Sequence, residues 1–336
     1  MILLLIVSFF ISFFTSIIVI YISHKYNFFI DCEKNQKPQK FHKTPVPRAG
    51  GIGIMVALSL LFLTPFGAKL FIPALLAFLS GIFEDFHNSL SAKIRLLMQT
   101  FAAFSAVYLA DAVVTYLGLG IELPYLIGAI FSMFAIVGMI NAINIIDGFN
   151  GLASGIVLLI LTSLAVITYK HNNIDLLNAI IVLFGATLGV FVLVFPKGKI
   201  FLGDGGAYLL GFLVGVFGIF LAGRYEDVSP WYILAIFIYP VWEVIFSIMR
   251  KIVMGTSPIH PDSYHLHMLI FRNLIKNNSL TALFILLGVL PFIVVSTIYA
   301  NCSICNIKII IVFILIYLTL YYYLFNKDKQ QDLNSL

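Results

Sequence analysis

Along this chain, continuous apolar runs alternate with short polar stretches. Eleven runs stand out, at about 1–22, 50–66, 68–83, 94–110, 121–141, 151–169, 174–195, 204–222, 230–249, 280–299 and 307–325. Most hold 17 or more residues with few or no charges, enough at ~1.5 Å per residue to cross a hydrocarbon core of ~30 Å. The runs at 50–66 and 68–83 are short and joined by the Pro65–Lys69 link, so they read as two thin spans or as a re-entrant pair. None shows the strict alternation of a barrel strand. The pattern predicts an all-α, polytopic integral membrane protein with about 11 transmembrane helices. Residues 1–325 read as one transmembrane domain, and 326–336 as a short cytoplasmic tail. Residues 2–22 carry no charge and no small-residue cleavage pattern precedes Ser23, so the first run reads as an uncleaved span rather than a signal peptide.

Composition agrees. Hydrophobic types make up 61% of the 336 residues and charged types 10%, against roughly 25% charged in soluble domains. Mean hydropathy is +1.05. The net charge of +5 is dispersed among apolar runs, without the dense basic stripe that neutralises a nucleic acid backbone. Three cysteines, Cys32, Cys302 and Cys305, exclude a disulfide scaffold and a four-cysteine zinc site. Basic residues then set sidedness. With the N-terminus outside and the C-terminus cytoplasmic, inward segments hold 16 Lys or Arg and outward ones 4, the asymmetry the positive-inside rule expects.

Acidic residues at span ends carry the candidate chemistry, because charges in lipid are costly and persist where they pair, face a cavity or work. Four segments qualify, all on the predicted inward side. In the first, Glu84 and Asp85 end one run while Lys93 and Arg95 open the next. A solvated turn is the plain alternative. In the second, Asn141, Asn144 and Asp147 recur every three residues before Gly148, Asn150 and Gly151, giving one polar stripe on an apolar helix end. Such a stripe is buried against protein, metal or ligand, or forms a helix-packing hydrogen-bond cluster. In the third, Asp204 sits between glycines at a helix start, behind Phe201. It either caps that helix or holds a divalent cation beside N–H groups that suit phosphate.

The fourth is the loop from Ser257 to His267, with His260, His265 and His267 among the chain's seven histidines. No H-x-x-x-H or cysteine partner supports zinc. Imidazoles of this kind suit a pyrophosphate, or the loop is merely polar. Glu243 lies well inside its apolar run, and Arg48 leads into the glycine-rich start of the 50–66 run. Cys302 and Cys305 flank a tight outward turn and either pair or do nothing.

Taken in order, the segments from Pro45 to about Leu269 resemble the polyprenyl-phosphate N-acetylhexosamine-1-phosphate transferases, glycosyltransferase family 4, over some two thirds of the chain. These include undecaprenyl-phosphate GlcNAc-1-phosphate transferases and phospho-MurNAc-pentapeptide transferases. The family's acidic pair matches Glu84-Asp85, its lysine Lys93, and its N-x-x-D-G-x-D-G motif Asn144 to Gly151, with Asn150 for the second aspartate. Its G-D matches Gly203-Asp204, and its histidine loop His260 to His267. The resemblance implies that Asn144 and Asp204 hold Mg2+ (with Mn2+ as a substitute), and that Glu84, Asp85, Asp147 and Lys93 are catalytic. It also implies that Phe201 and Asn150 take the uracil, while His260, His265, His267 and Arg48 bind substrate phosphates. Asp85 is then the candidate to deprotonate or orient the lipid phosphate.

Implied partners are a UDP-N-acetylhexosamine, undecaprenyl phosphate and membrane lipids, with no nucleic acid and with a homodimer as a candidate assembly. The implied reaction makes the first lipid-linked sugar of a cell-surface polysaccharide, such as O-antigen, at the cytoplasmic face of a bacterial inner membrane. Met268 stands where pentapeptide transferases carry a further histidine, which favours a simple HexNAc donor. A solute transporter is the competing class, but its acids would lie near the midplane, often within inverted repeats. A catalytically dead scaffold would not need the full acidic set.

Overall fold

A computed structural model describes residues 1–29, 46–87, 90–257 and 262–334. The chain is all-α and polytopic, with thirteen α-helices among the described residues. These are α1 (Ile2–Tyr26), α2 (Gly50–Ala57, continued by a 3-10 turn Leu58–Leu63), α3 (Pro65–His87), α4 (Ala92–Ala110), α5 (Tyr125–Ile146), α6 (Leu152–Lys170) and α7 (Ile174–Val194). They continue as α8 (Gly203–Arg224), α9 (Pro230–Ile236), α10 (Ile238–Val253), α11 (Leu266–Ile270, followed by a π turn Phe271–Ile275), α12 (Asn278–Ile298) and α13 (Ser303–Asn334). All eleven segments read from the hydrophobic pattern fall on these helices.

By length and composition eight helices are able to cross a membrane, and nine if α9 and α10, bent 79° to each other, are one span. The other two anticipated segments are Gly50–Leu63 and α4. Gly50 packs on the Phe201 carbonyl at one end of the bundle, while Pro65 and Phe66 line a cavity of about 480 Å3 at the other. The 8 α-helical and 6 3-10 residues between reach ~24 Å at ~1.5 and ~2.0 Å per residue. Gly50–Leu63 therefore runs from one end of the bundle toward the other. α4 likewise runs from Arg95, beside Asp204, to Asp111 at the far cavity.

α8 is the axis. Of its apolar stretch 94% is buried, against 17% for α1 and 22% for α13, so the outermost helices keep their apolar faces for lipid. Small residues let other helices approach α8 closely. A Cβ on Gly81 of α3 would sit 2.4 Å from the Gly205 nitrogen, and one on Gly51 2.4 Å from the Gly206 nitrogen. Both obstacles are backbone, so α2, α3 and the start of α8 meet only because glycine stands there.

The two ends of the bundle differ. Segments assigned inward meet at one: Asn150 and Ser279 both donate to the Pro196 carbonyl, and Arg272 pairs with Asp328 at 2.7 Å. Segments assigned outward meet at the other. There Ser229 contacts Ala300 and Ser303, His171 pairs with Asp227 at 2.9 Å, and Cys302 is disulfide-bonded to Cys305. α13 continues as helix past residue 325, and Lys327 and Asp328 clasp Arg272 and Asn273.

Candidate active site

The site grows from the crossing of α3, α8 and the strand-like segment before α2. Pro47 accepts from the Phe201 N–H at 2.8 Å, and Phe201 accepts from Gly50 N–H at 2.9 Å, which places Arg48 beside the start of α8. Gly203, with φ 75°, turns the chain into that helix in a conformation costly for other residues. The first N–H groups of a helix need acceptors. Here Asp85, reaching over from α3, supplies them: Oδ1 accepts from Asp204 N–H at 3.0 Å and Oδ2 from Gly205 N–H at 2.9 Å. Its side chain is 1% exposed. Asp85 thus clamps α8 rather than presenting a free carboxylate.

Asp204 is freed by that clamp to face its cations. Its Oδ1 lies 3.2 Å from Arg48 Nη2 and its Oδ2 3.4 Å from Arg95 Nη1. Arg95 also donates to the Tyr208 hydroxyl at 3.4 Å and lies 3.8 Å from Glu84 Oε1. Two arginines and three carboxylates therefore share one half-buried cluster. Lys93 is exposed, with no described partner. It was Arg95, one of the basic pair, that the fold turned inward. The signal was present: Arg95, Gln99, Ala102, Ala103 and Ala106 repeat at helical spacing, and all but Arg95 are fully or almost fully buried.

The polar stripe of α5 divides. Asn141 turns sideways, donating to Gln99 at 3.0 Å. Asn144 and Asp147 make no side-chain hydrogen bond among the described residues. Asp147, just past the end of α5, has its carboxyl pushed up to about 7 by burial and by the Asp204 charge, against the opposing pull of Arg48. Asn150 is buried; its amide NH2 donates to the Pro196 carbonyl at 3.1 Å, while its Oδ1 has no described partner. Phe201 is half-buried.

The histidine segment closes the site from α10. His265 Nδ1 is 3.0 Å from Glu243 Oε2, and the His265 and His267 rings stack at 5.3 Å. His267 meets Phe149 edge to face at 5.5 Å, and its Nε2 is 3.7 Å from where a Gly148 Cβ would lie. Segments two and four therefore touch. Burial pushes the His267 imidazole down to about 4, with Glu243 opposing and His265 reinforcing the shift. His260 lies outside the described residues. The sequence reading singled out Glu243 without giving it a role; the fold bonds it to His265 and sets it 3.9 Å from His267.

Among the described residues no three His, Cys, Asp or Glu side chains form a ready metal cluster. The oxygen donors nonetheless suit a hard cation, which takes one or two carboxylates and keeps several waters for substrate phosphates. Asp147 offers an unpartnered carboxylate within electrostatic reach of Asp204, and Asn144 an unpartnered amide.

Residues 68–222 match the family model described as glycosyl transferase family 4. The chain is 32% identical over 251 residues to an undecaprenyl-phosphate alpha-N-acetylglucosaminyl 1-phosphate transferase of Thermotoga maritima, covering 73% of this chain and 75% of the relative. It is 28% identical over 277 residues to a probable undecaprenyl-phosphate N-acetylglucosaminyl 1-phosphate transferase of Bacillus subtilis, covering 78% and 76%. Similarity to a phospho-N-acetylmuramoyl-pentapeptide-transferase of Streptococcus agalactiae, at 32%, extends over only 42% of this chain and 43% of that one.

Proposed function

The chain belongs to glycosyl transferase family 4, and from that premise we propose that it transfers a HexNAc-1-phosphate from a UDP-sugar to undecaprenyl phosphate, releasing UMP. The observation that carries the reading is the gathering of Asp85, Asp147, Asp204, Arg48, Arg95, His265 and His267 at one end of an apolar bundle. Such an end borders both water, for a nucleotide sugar, and lipid, for a prenyl chain. Relatives named for N-acetylglucosaminyl 1-phosphate align over three quarters of their length, which makes UDP-GlcNAc the first donor to test; UDP-GalNAc, UDP-QuiNAc and UDP-FucNAc follow. The product is the first lipid-linked sugar of a surface polysaccharide.

In the reaction an oxygen of the lipid phosphate attacks the sugar-bearing β-phosphorus, and the bond from that phosphorus to the bridging oxygen breaks as UMP leaves. Phosphoryl transfer of this kind needs positioning and charge more than covalent help. The lipid phosphate has a second pKa near ~6, so at pH 7 it is largely dianionic without a base. Asp85 then serves by fixing the first turn of α8. Arg48 and Arg95, now held by Asp204, offer their charge to incoming phosphates, and Lys93 stands exposed at the mouth. Glu84 keeps Arg95 in place.

The Asn150 Oδ1, buried without a partner, is the acceptor an imide N–H of uracil requires, with Phe201 nearby as a flat face. Asp204 and Asn144, joined by Asp147, would hold Mg2+ or Mn2+; bound there, the cation neutralises the donor diphosphate and spreads transition-state charge. A disulfide at the far end suits an oxidising compartment, which supports placing the site on the cytoplasmic side of the inner membrane.

The test is UMP release by purified protein in detergent with undecaprenyl phosphate, a panel of UDP-HexNAc donors and Mg2+. Release is expected only when donor and lipid phosphate are both present. No UMP with any donor from a folded preparation overturns the proposal.

A further inference from the structure

α10 places Tyr239, Glu243, Ser247 and Arg250 four, four and three residues apart, hence along one helical face. That face seats the segment 262–267. Arg250 donates to Asp262 Oδ2 at 2.6 Å, to the Tyr264 carbonyl and, at 3.0 Å, to the Tyr321 hydroxyl of α13. Glu243, 1% exposed, lies deeper, bonded to His265 and within ion-pair reach of His267. Its Oε2 is 3.0 Å from His265 Nδ1, and its Oε1 is 3.9 Å from His267 Nδ1. The Tyr239 hydroxyl is 3.4 Å from the same His267 nitrogen. The rings lie within 4° of parallel.

Both histidines therefore turn Nδ1 toward one buried carboxylate. His267 Nε2 faces Gly148 and the α5–α6 turn, where Asn144, Asp147 and Asn150 are gathered. His265 Nε2 lies 3.8 Å from Asp262 Oδ1. A carboxylate on one imidazole nitrogen fixes the tautomer and ring angle, and leaves the other nitrogen for a ligand. Burying an isolated carboxylate this deeply costs several kcal/mol unless partners compensate. The groups facing the rings are Glu243 and Tyr239 of α10, Tyr317 of α13 beside Glu243, and Asp262 with Arg250 behind it. From the α5–α6 turn Gly148 and Phe149 lie against His267.

We propose that Glu243 is a positioning residue, which locks His265 by its Nδ1 hydrogen bond, holds the stacked His267 ring by its charge, and so reserves the His267 Nε2 for the phosphate oxygens of the nucleotide-sugar donor. This rests on the proposed transferase reading. When phosphate oxygens arrive, the His267 Nε2 takes a proton from solvent water and donates a hydrogen bond to them, with the Glu243 charge balancing the imidazolium behind it. Glutamine in its place carries no charge and can turn its NH2 toward His265, so His265 loses its fixed acceptor and both rings lose the counter-charge.

The test combines kinetics with imidazole 15N spectra of histidine-labelled protein. Glu243→Gln is expected to lower kcat/KM for the donor by about 10- to 100-fold, chiefly through KM, with a changed pH profile. Glu243→Asp should recover part of the loss. In a His265→Asn, His267→Asn background, Glu243→Gln should add less than twofold to the KM of the donor or to the Kd of UDP, because the groups it positions are gone. Wild-type spectra should show the His265 ring protonated at Nδ1, and the Gln variant should lose that signature. Unchanged tautomers, or a Glu243→Gln loss as large without the histidines as with them, overturns the proposal. If the wild type releases no UMP, the transferase reading fails, and the 15N spectra and UDP binding still decide the role of Glu243.

Discussion

Replacing Asp85 with Asn separates a carboxylate that holds the backbone from one that acts on substrate. In the fold both oxygens of Asp85 accept from successive N–H groups of α8, at 3.0 and 2.9 Å, and Arg48 Nε lies 3.9 Å from Oδ1. Asparagine keeps the shape but has one acceptor oxygen; its NH2 must face a backbone N–H. One charge-assisted bond is lost, worth ~1.5–3 kcal/mol, and the turn carrying Asp204 loses its clamp. At ~1.4 kcal/mol per tenfold, that predicts a fall in kcat/KM of ~10- to 150-fold, together with a lower Tm. The assay is UMP release from pH 6 to 9, with thermal unfolding of the same preparations in detergent. A general base would behave differently, since its removal costs ~10²–10⁴-fold and erases the acid limb of the profile. An unchanged Tm with a loss above a thousandfold and no acid limb would refute the clamp.

Three further outcomes follow from neighbouring groups. Asp147, whose carboxyl is pushed up to about 7, weakens the fold as pH rises from its ordinary 3.8 through 7. In protein stripped of metal by a chelator, Asp147→Asn should therefore raise Tm more at pH 8 than at pH 5 while lowering UMP release. On the far end, burial works against the His171 charge, but bonds to the Ile167 carbonyl and Asp227 outweigh it and hold its pKa above the ordinary value. The pair stabilises below the unfolded pKa near ~6.5 and fades as pH rises through the folded one. Asp227→Asn should thus lower Tm slightly at pH 6, by no more than ~1 kcal/mol for so exposed a partner, and not at pH 9. Gly81→Ala puts a methyl 2.4 Å from the Gly205 nitrogen, and overpacking of ~1–3 kcal/mol should lower both Tm and activity; wild-type values would show that α3 can move away.

The spans were legible because lipid demands continuous apolar runs, and the four polar segments because charge is rare in such a chain. What the sequence left open depends on rotation and crossing angle. Lys93 and Arg95 are two positions apart and so point ~200° from each other on a helix; only the rotation of α4, set by alanines packing inward, makes Arg95 the one that reaches Asp204. Likewise Glu84-Asp85 announces an acidic end, but only the glycine-mediated crossing of α3 and α8 turns Asp85 into a helix clamp. The every-third spacing of Asn141, Asn144 and Asp147 promised one stripe, yet Gln99 on a neighbouring helix draws Asn141 away. Glu243 needed the loop to fold back onto α10 before its partners could be seen, since His265 is 22 residues away. The run at 50–66 looked short, and the 3-10 turn at Leu58–Leu63 makes it reach farther than an α-helix of the same residues would.

The central claim is that this cluster at one end of the bundle moves a sugar together with its phosphate. The most direct measurement uses UDP-GlcNAc labelled with 14C in the sugar and 32P at the β-phosphorus, with undecaprenyl phosphate in detergent or liposomes. Both labels are expected in the lipid fraction in equal molar amounts, with unlabelled UMP released. Sugar label reaching the lipid without 32P, or neither label reaching it with any HexNAc donor, would contradict the claim.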